Sequence, residues 1–164
     1  MLFRSQLLLG KGAPVDEKDK NGDTALMKVS EKGHTEVVQL LLDKGAAIDE
    51  KSTLYKYCST ALMMASASGH TEVVQLLLGK GALVDEKDTG GRTALLRASE
   101  RGHTEVVQLL HGKGASLDEK NKDGDTALIC ASLKGHAEVV QLLWGKGAAV
   151  DEKDGVVIKT AFHL

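Results

Sequence analysis

From Thr24 onward the apolar residues fall into two short helical periods separated by a glycine. Ala25, Leu26, Val29 and Ser30 set small and apolar groups along one face, with Lys28, Glu31 and Lys32 opposite. Thr24 just ahead is an N-cap whose hydroxyl can accept from the first unpaired amides. Gly33 closes the helix as a C′ glycine does. The second period runs from about Thr35 to Asp43. Glu36, Gln39 and Asp43 form one narrow polar stripe, and Val37, Val38, Leu40, Leu41 and Leu42 cover the rest. A helix apolar over most of its circumference must be packed on several sides. Gly45 stops it, and Ala46 to Lys51 leads onward as a short extended arm. Ahead of both helices, Asp19-Lys20-Asn21-Gly22-Asp23 reads as a turn, with Asn-Gly supplying residues that tolerate positive φ.

This pattern recurs. Gly33-His34-Thr35-Glu36-Val37-Val38-Gln39-Leu40-Leu41-Leu42 returns at 69–78, at 102–110 and, with Ala137 in place of threonine, at 135–143, so that His34, His70, His103 and His136 are 36, 33 and 33 residues apart. A fixed period of that size signals stacked repeats. Full units cover 19–51, 52–87, 88–120 and 121–153, with a partial unit at 1–18 and a degenerate one at 154–164. The run Asp-x-x-Gly-x-Thr-Ala-Leu, then Gly-His, then Val-Val-x-Leu-Leu-Leu-x-x-Gly-Ala resembles the ankyrin repeat over essentially the whole chain. The resemblance implies an all-α repeat solenoid of stacked helix-turn-helix units with β-hairpin-like loops. Its concave side would be made of hairpin tips and first helices. It also implies a structural role for the four histidines, bonding loops between neighbouring units.

Composition fits this picture. Hydrophobic residues make up 42% of the 164 and aromatics 3%, so packing relies on Leu, Val and Ala. The formal charge of -2 is too near neutral for whole-protein attraction to nucleic acid or acidic membrane. There is no continuous basic stripe with stacking aromatics either, and nucleic acid is not an expected partner. No segment approaches the ~18 apolar residues of a membrane span. The opening Gln6-Leu7-Leu8-Leu9-Gly10-Lys11-Gly12-Ala13 copies 75–82 and reads as the tail of a repeat rather than a signal peptide. Cys58 and Cys130 lie two repeats apart, beyond the ~7 Å Cα limit for a disulfide. Free thiols point to an intracellular setting, cytoplasmic before nuclear. The chain is expected to be a monomer. It breaks off inside a unit at both ends, which favours part of a longer array.

The chemistry-bearing candidates mostly fall away. Zinc ligands must converge within ~2 Å of one ion, and histidines a repeat apart do not, so no metal is expected. The runs at 17–23 and 119–125 mimic a calcium loop, but their twelfth positions are Lys28 and Cys130 where a bidentate Glu is needed. The Asp-Glu-Lys triplets starting at 16, 49, 85, 118 and 151 supply carboxylates without a nucleophile, pocket or phosphate loop. No cofactor and no catalytic set are expected. Trp144 fills the slot of Leu42, Leu78 and His111, a position varied enough to be semi-exposed and a weak interface candidate.

The copies differ in one region. The second helix is nearly invariant, whereas position 28 and its equivalents read Lys28, Met64, Arg97 and Cys130. The next pair reads Glu31-Lys32, Ala67-Ser68, Glu100-Arg101 and Leu133-Lys134. Unit 52–87 carries a hairpin three residues longer, with both tyrosines of the chain. Its Cys58 stands where Gly22, Gly91 and Gly124 stand. Cysteine tolerates positive φ poorly, so this hairpin is expected to turn differently. Drift on a solvated face also varies exposed sites, but it does not readily explain an uncharged stretch flanked by bases. The expectation is a non-catalytic interaction scaffold binding another protein along its concave face. Tyr55, Tyr57, Met63 and Met64 would be anchors. Arg92, Arg97 and Arg101 on one side and Lys28 and Lys32 on the other would form the rim, with Glu31, Glu100 and Lys134 on the same varied surface. The alternative is a repeat arm of a larger enzyme or channel whose activity lies outside these residues.

One departure from the resembled family bears on stability. The family's usual Thr-Pro-Leu-His opening is Thr-Ala-Leu-Met at 24–27 and 60–63, Thr-Ala-Leu-Leu at 93–96 and Thr-Ala-Leu-Ile at 126–129. Proline is favoured at the first helical position, where its φ is pre-set. Ala→Pro at 25, 94 and 127 is expected to raise the thermal midpoint, by about 0.4–1 kcal/mol per compatible site. A lower midpoint in calorimetry would mean that the helix starts are misplaced.

Overall fold

A computed structural model of the chain describes residues 14–53 and 58–150. Tyr55 and Tyr57 lie outside the described residues, as do the degenerate unit at 154–164 and all but 14–18 of the first partial unit. Eight helices are found among the described residues: α1 Ala25–Lys32, α2 Thr35–Asp43, α3 Ala61–Ser68, α4 Thr71–Gly79, α5 Ala94–Arg101, α6 Thr104–Gly112, α7 Ala127–Leu133 and α8 Ala137–Gly145. They form four antiparallel pairs, one per full unit, stacked side by side. No strand is present among the described residues.

The helix starts follow from side-chain chemistry. Thr24, Thr60, Thr93 and Thr126 sit with extended backbone, and each hydroxyl accepts from the amide three residues on. That removes one of the unpaired donors at each N-terminus. The first helix of each of the first three units ends at a glycine with φ of +74° to +77°. Position 25 is exposed, whereas its counterparts Ala61, Ala94 and Ala127 are buried against their neighbours.

Stacking is closest between the first helices, α1 on α3 on α5 on α7, and looser between α2, α4, α6 and α8. Small residues explain the close approach: Ala65, Ser66, Ala98, Ser99, Ala131 and Ser132 are all buried there. A stack tighter along one edge curves toward it, which puts the first helices on the inner side. The core behind them is aliphatic and continuous, running from Leu26, Met27 and Val38 through Leu62, Leu77, Leu95 and Leu110 to Leu128 and Leu143.

Three polar devices join one unit to the next. The rings of His70, His103 and His136 each lie on the terminal glycine of the first helix in the unit before. His70 Nε2 is 2.9 Å from Glu31 O, His103 Nε2 is 3.0 Å from Ala67 O, and His136 Nε2 is 3.0 Å from Glu100 O. A carbonyl only accepts, so Nε2 carries the proton in each ring. The recurring Asp-Glu-Lys triplet is the second device. Asp16, Asp49, Asp85 and Asp118 accept the backbone amides of Ala47, Leu83, Ser116 and Ala149 in the following unit. Lys18, Lys51 and Lys87 reach Glu50, Glu86 and Glu119 at 2.5–2.6 Å. The third is a pair of backbone bonds between hairpin tips, from Thr53 N to Gly22 O and from Lys122 N to Gly90 O.

The longer hairpin corrects one expectation. It does close differently, through Ser52 N to Ser59 O, where the other units close through Asp19–Asp23, Asp88–Arg92 and Asn121–Asp125. Yet Cys58 still takes a left-handed φ of +43°, and no other described residue besides glycine does so. The added length does not spare the residue at the glycine slot its turn conformation.

The histidine–glycine contact yields a coupled prediction. A Cβ on Gly69 would sit 2.6 Å from His103 Nδ1, at a backbone φ of +76°. Gly69→Ala is expected to cost ~1–3 kcal/mol from the left-handed backbone alone, plus the displaced ring. His103→Ala loses the bond to Ala67 O and costs a similar ~1–3 kcal/mol. Because removing the ring also removes the clash, the double variant should be less destabilised than the sum, by about 1 kcal/mol. Strict additivity in urea unfolding would show that the ring does not press on the glycine.

Candidate functional site

The varied positions of the first helices open onto two grooves on the inner side. The larger, with a volume of about 590 Å³, is bounded by Lys28, Glu31 and Lys32 of α1, Met64, Ala67 and Ser68 of α3, and Arg97 and Arg101 of α5, with Ser52 and Ser59 below. The smaller, about 470 Å³, lies between α5 and α7 and involves Arg92, Glu100, Cys130, Leu133 and Lys134. Thus Lys28, Glu31, Lys32, Met64, Arg97 and Arg101 share one groove, and Arg92, Glu100 and Lys134 share the next.

Met63 does not belong with them. Its side chain is 1% exposed and packs in the core, as do its counterparts Met27, Leu96 and Ile129. The expected anchor role fails because successive helical positions are about 100° apart. If Met64 faces the groove, Met63 faces inward.

Arg92 and Arg97 are also not free rim charges. Asp88 has no exposed side-chain surface, and Arg97 Nη2 and Arg92 Nε both donate to its Oδ2. The same Arg97 nitrogen donates to Ser59 Oγ at 2.9 Å, crossing to the preceding unit, and Arg92 also lies 3.7 Å from Glu100 Oε2. Asp88 Oδ1 meanwhile accepts the amides of Gly90 and Arg92 and holds the hairpin turn. These guanidinium groups are committed within the chain.

This pairing explains part of the variation among copies. In unit 19–51 the equivalent residues are Asp19 and Lys28, which form an ion pair. That bond holds the Asp19 carboxyl below its ordinary value and the Lys28 ammonium above it. In unit 121–153 they are Asn121, whose Oδ1 makes the same turn bonds to Asp123 N and Asp125 N, and Cys130. A base stands on the helix where an acid stands in the hairpin, and an uncharged residue where it does not. Unit 52–87 follows suit, with Ser52, which makes the hairpin-closing bond there, and Met64 at the two positions.

Among the remaining variable positions Glu100 meets Arg92, but the bases at the ends of the first helices have no such counterpart among the described residues. Lys32, Arg101 and Lys134 are exposed at the last turns of their helices or just beyond, and none of the ion pairs among the described residues includes them. Leu133, in the place of Glu31 and Glu100, is 62% exposed. Sequence reasoning passed over Leu133, although a leucine in a slot otherwise filled by Glu or Ala is the signal that could have marked it. Trp144 is 52% exposed on α8, in keeping with its variable slot. Both cysteines are free thiols. Burial, with the Asp125 and Glu100 charges adding to it, pushes the Cys130 thiol up to about 12, so it is inert at neutral pH.

No helix of the described residues is long and apolar enough to cross a membrane. A family model described as "Ankyrin repeats (3 copies)" matches residues 5–88 and 62–154, nearly the whole chain. Comparison with curated proteins gives no match.

Removing the two helix bases should separate the paired cases. Arg97→Met leaves the buried Asp88 with Arg92 alone, and is expected to cost about 3 kcal/mol in chemical unfolding. Lys28→Met acts on an exposed pair and should be nearly neutral. Equal losses for the two variants would contradict the committed role assigned to Arg97.

Proposed function

This chain belongs to the ankyrin-repeat family, and from that premise we propose that it binds a partner protein along the inner side of its first helices. Repeats of this family commonly serve as protein-protein interaction modules and are typically non-catalytic. The observation that carries the finer reading is the groove of about 590 Å³, whose walls combine the residues that differ between otherwise matching copies. Met64 supplies an apolar floor with Ala67 and Ser68, and Lys28, Glu31, Lys32 and Arg101 stand around it. Flexible methionine surface with a polar rim suits a protein interface. Tyr55 and Tyr57, outside the described residues, are proposed to extend the apolar anchor from the long hairpin. Glu100 and Lys134 would extend the contact to the second groove.

A photo-crosslinking side chain tests this directly. Placed at exposed Ser68 in the groove, it should capture protein partners from native extract that the same group at exposed Gln108 on α6 does not. Equal capture at both positions would remove the inner side as the binding face.

A further inference from the structure

The larger groove has a charge arrangement that narrows the class of partner, and the following rests on the inner-side reading above. Of the four bases that line it, two are already satisfied: Lys28 by Asp19, and Arg97 by Asp88 and Ser59. Lys32 and Arg101 are the two left over. They occupy the same helical position two units apart, and the residue between them at that position is Ser68. Ser68 ends a helix as well formed as its neighbours, with the same N-cap and the same left-handed glycine after it. A base at this position is therefore not needed to finish the helix.

The floor between the two bases is neutral. Met64 is half-buried against the core, Ala67 and Ser68 are small, and α3 carries no charged residue. Among the described lining residues the opposing acids are Asp23 at the hairpin end, with Oδ1 buried, and exposed Glu31 beside Lys32. Stacked helices lie ~8–10 Å apart, so Lys32 and Arg101 on α1 and α5 rise from axes ~16–20 Å apart. An extended chain covers that in about five to six residues at ~3.3 Å each.

We infer that the groove takes an extended segment of a partner protein with an acidic residue at each end, about five to six residues apart, and an apolar side chain between them. The acids meet Lys32 and Arg101, and the apolar residue lies on Met64 and Ala67. Both ends are exposed charges at the margin, so they set the partner and its register, while the centre supplies the contact area.

A displayed library of random ten-residue peptides, selected on the intact chain, is the probe. The expected winners carry paired Asp or Glu at the stated spacing with an apolar residue between. They should lose about tenfold in affinity with Lys32→Glu or Arg101→Glu and about a hundredfold with both, and weaken at raised salt. Lys113→Glu, an exposed base just after α6 and away from the groove, should leave binding unchanged. Both groove substitutions are at exposed positions, and unchanged far-UV circular dichroism would exclude unfolding as the cause. Met64→Ala should cost tenfold or more in affinity, whatever the salt. Winners that lack the acidic pair but still lose binding with Met64→Ala would overturn this inference and leave the inner-side function standing. Winners indifferent to every groove substitution, or a selection yielding none sensitive to Lys32→Glu, would also overturn it. Crosslinking from Ser68 judges the inner-side function separately.

Discussion

The stack depends on a contact between an imidazole and a residue with no side chain. Each first helix leaves carbonyls at its C-terminus without intrahelical partners, and in three successive units one of them accepts from the histidine of the next unit. The glycine that follows serves two ends at once. Its left-handed φ turns the chain toward the second helix, and its missing Cβ leaves room for the ring, which a methyl group would meet at 2.5–2.6 Å. Neither requirement tolerates substitution well, and both must hold in every unit. Gly-His is therefore the same in all four copies, while residues one or two positions before it change freely.

With that contact fixed, the other junctions divide the work between the two edges of the stack. On the hairpin and arm side, among the described residues, the Asp-Glu-Lys triplets join successive units by carboxylate–amide bonds at four junctions and by ion pairs at three. The ion pairs are partly exposed and contribute little singly, but the carboxylate bonds satisfy backbone amides and set the offset between units. On the inner edge, buried Ala and Ser let the first helices approach closely and leave their outer positions open to solvent. The second helices, apolar over most of their surface, are held between neighbours and have little freedom to vary. Architecture alone thus leaves the exposed positions of the first helices and the hairpins as the ones free to vary.

Much of this was legible in the sequence because the signals are local and chemical. Thr24, Gly33 and Gly45 mark helix ends by capping and by left-handed turns, and the second helix runs from Thr35 to Asp43 as read from its polar stripe. What could not be read needed either phase or proximity. Met63 and Met64 look alike as letters, yet one is core and the other groove. The distinction was available by comparing copies, since the position of Met63 is apolar in all four and that of Met64 is not. Arg97 and Asp88 are nine residues apart and meet only because the hairpin folds back on the helix. The covariation of 19 with 28, 88 with 97 and 121 with 130 hinted at this within one chain. Cys58 defied a conformational preference because the surrounding hairpin, closed at Ser52 and Ser59, sets its backbone.

That covariation also changes what variation means. Diversity at the position of Lys28, Met64, Arg97 and Cys130 first suggests selection for different partners, yet each of the four tracks the hairpin residue of its own unit, Asp19, Ser52, Asp88 and Asn121. Their identity is largely answered inside the chain. The position of Lys32, Ser68, Arg101 and Lys134 shows no such internal correlate among the described residues, whereas at that of Glu31, Ala67, Glu100 and Leu133 only Glu100 has one, in Arg92. A position whose side chain is exposed, unpaired and varied among the copies is free to encode something outside the chain. Paired bases also lose less on being covered, since their charge is already met and a partner need not replace the lost water with a counter-ion of its own. The groove therefore has two kinds of base. Internally paired ones give shape and can be covered, and unpaired ones demand an opposite charge from whatever covers them. In the interaction proposed above, specificity would follow from the second kind, and a neutral unit lying between two of them would give it a spacing.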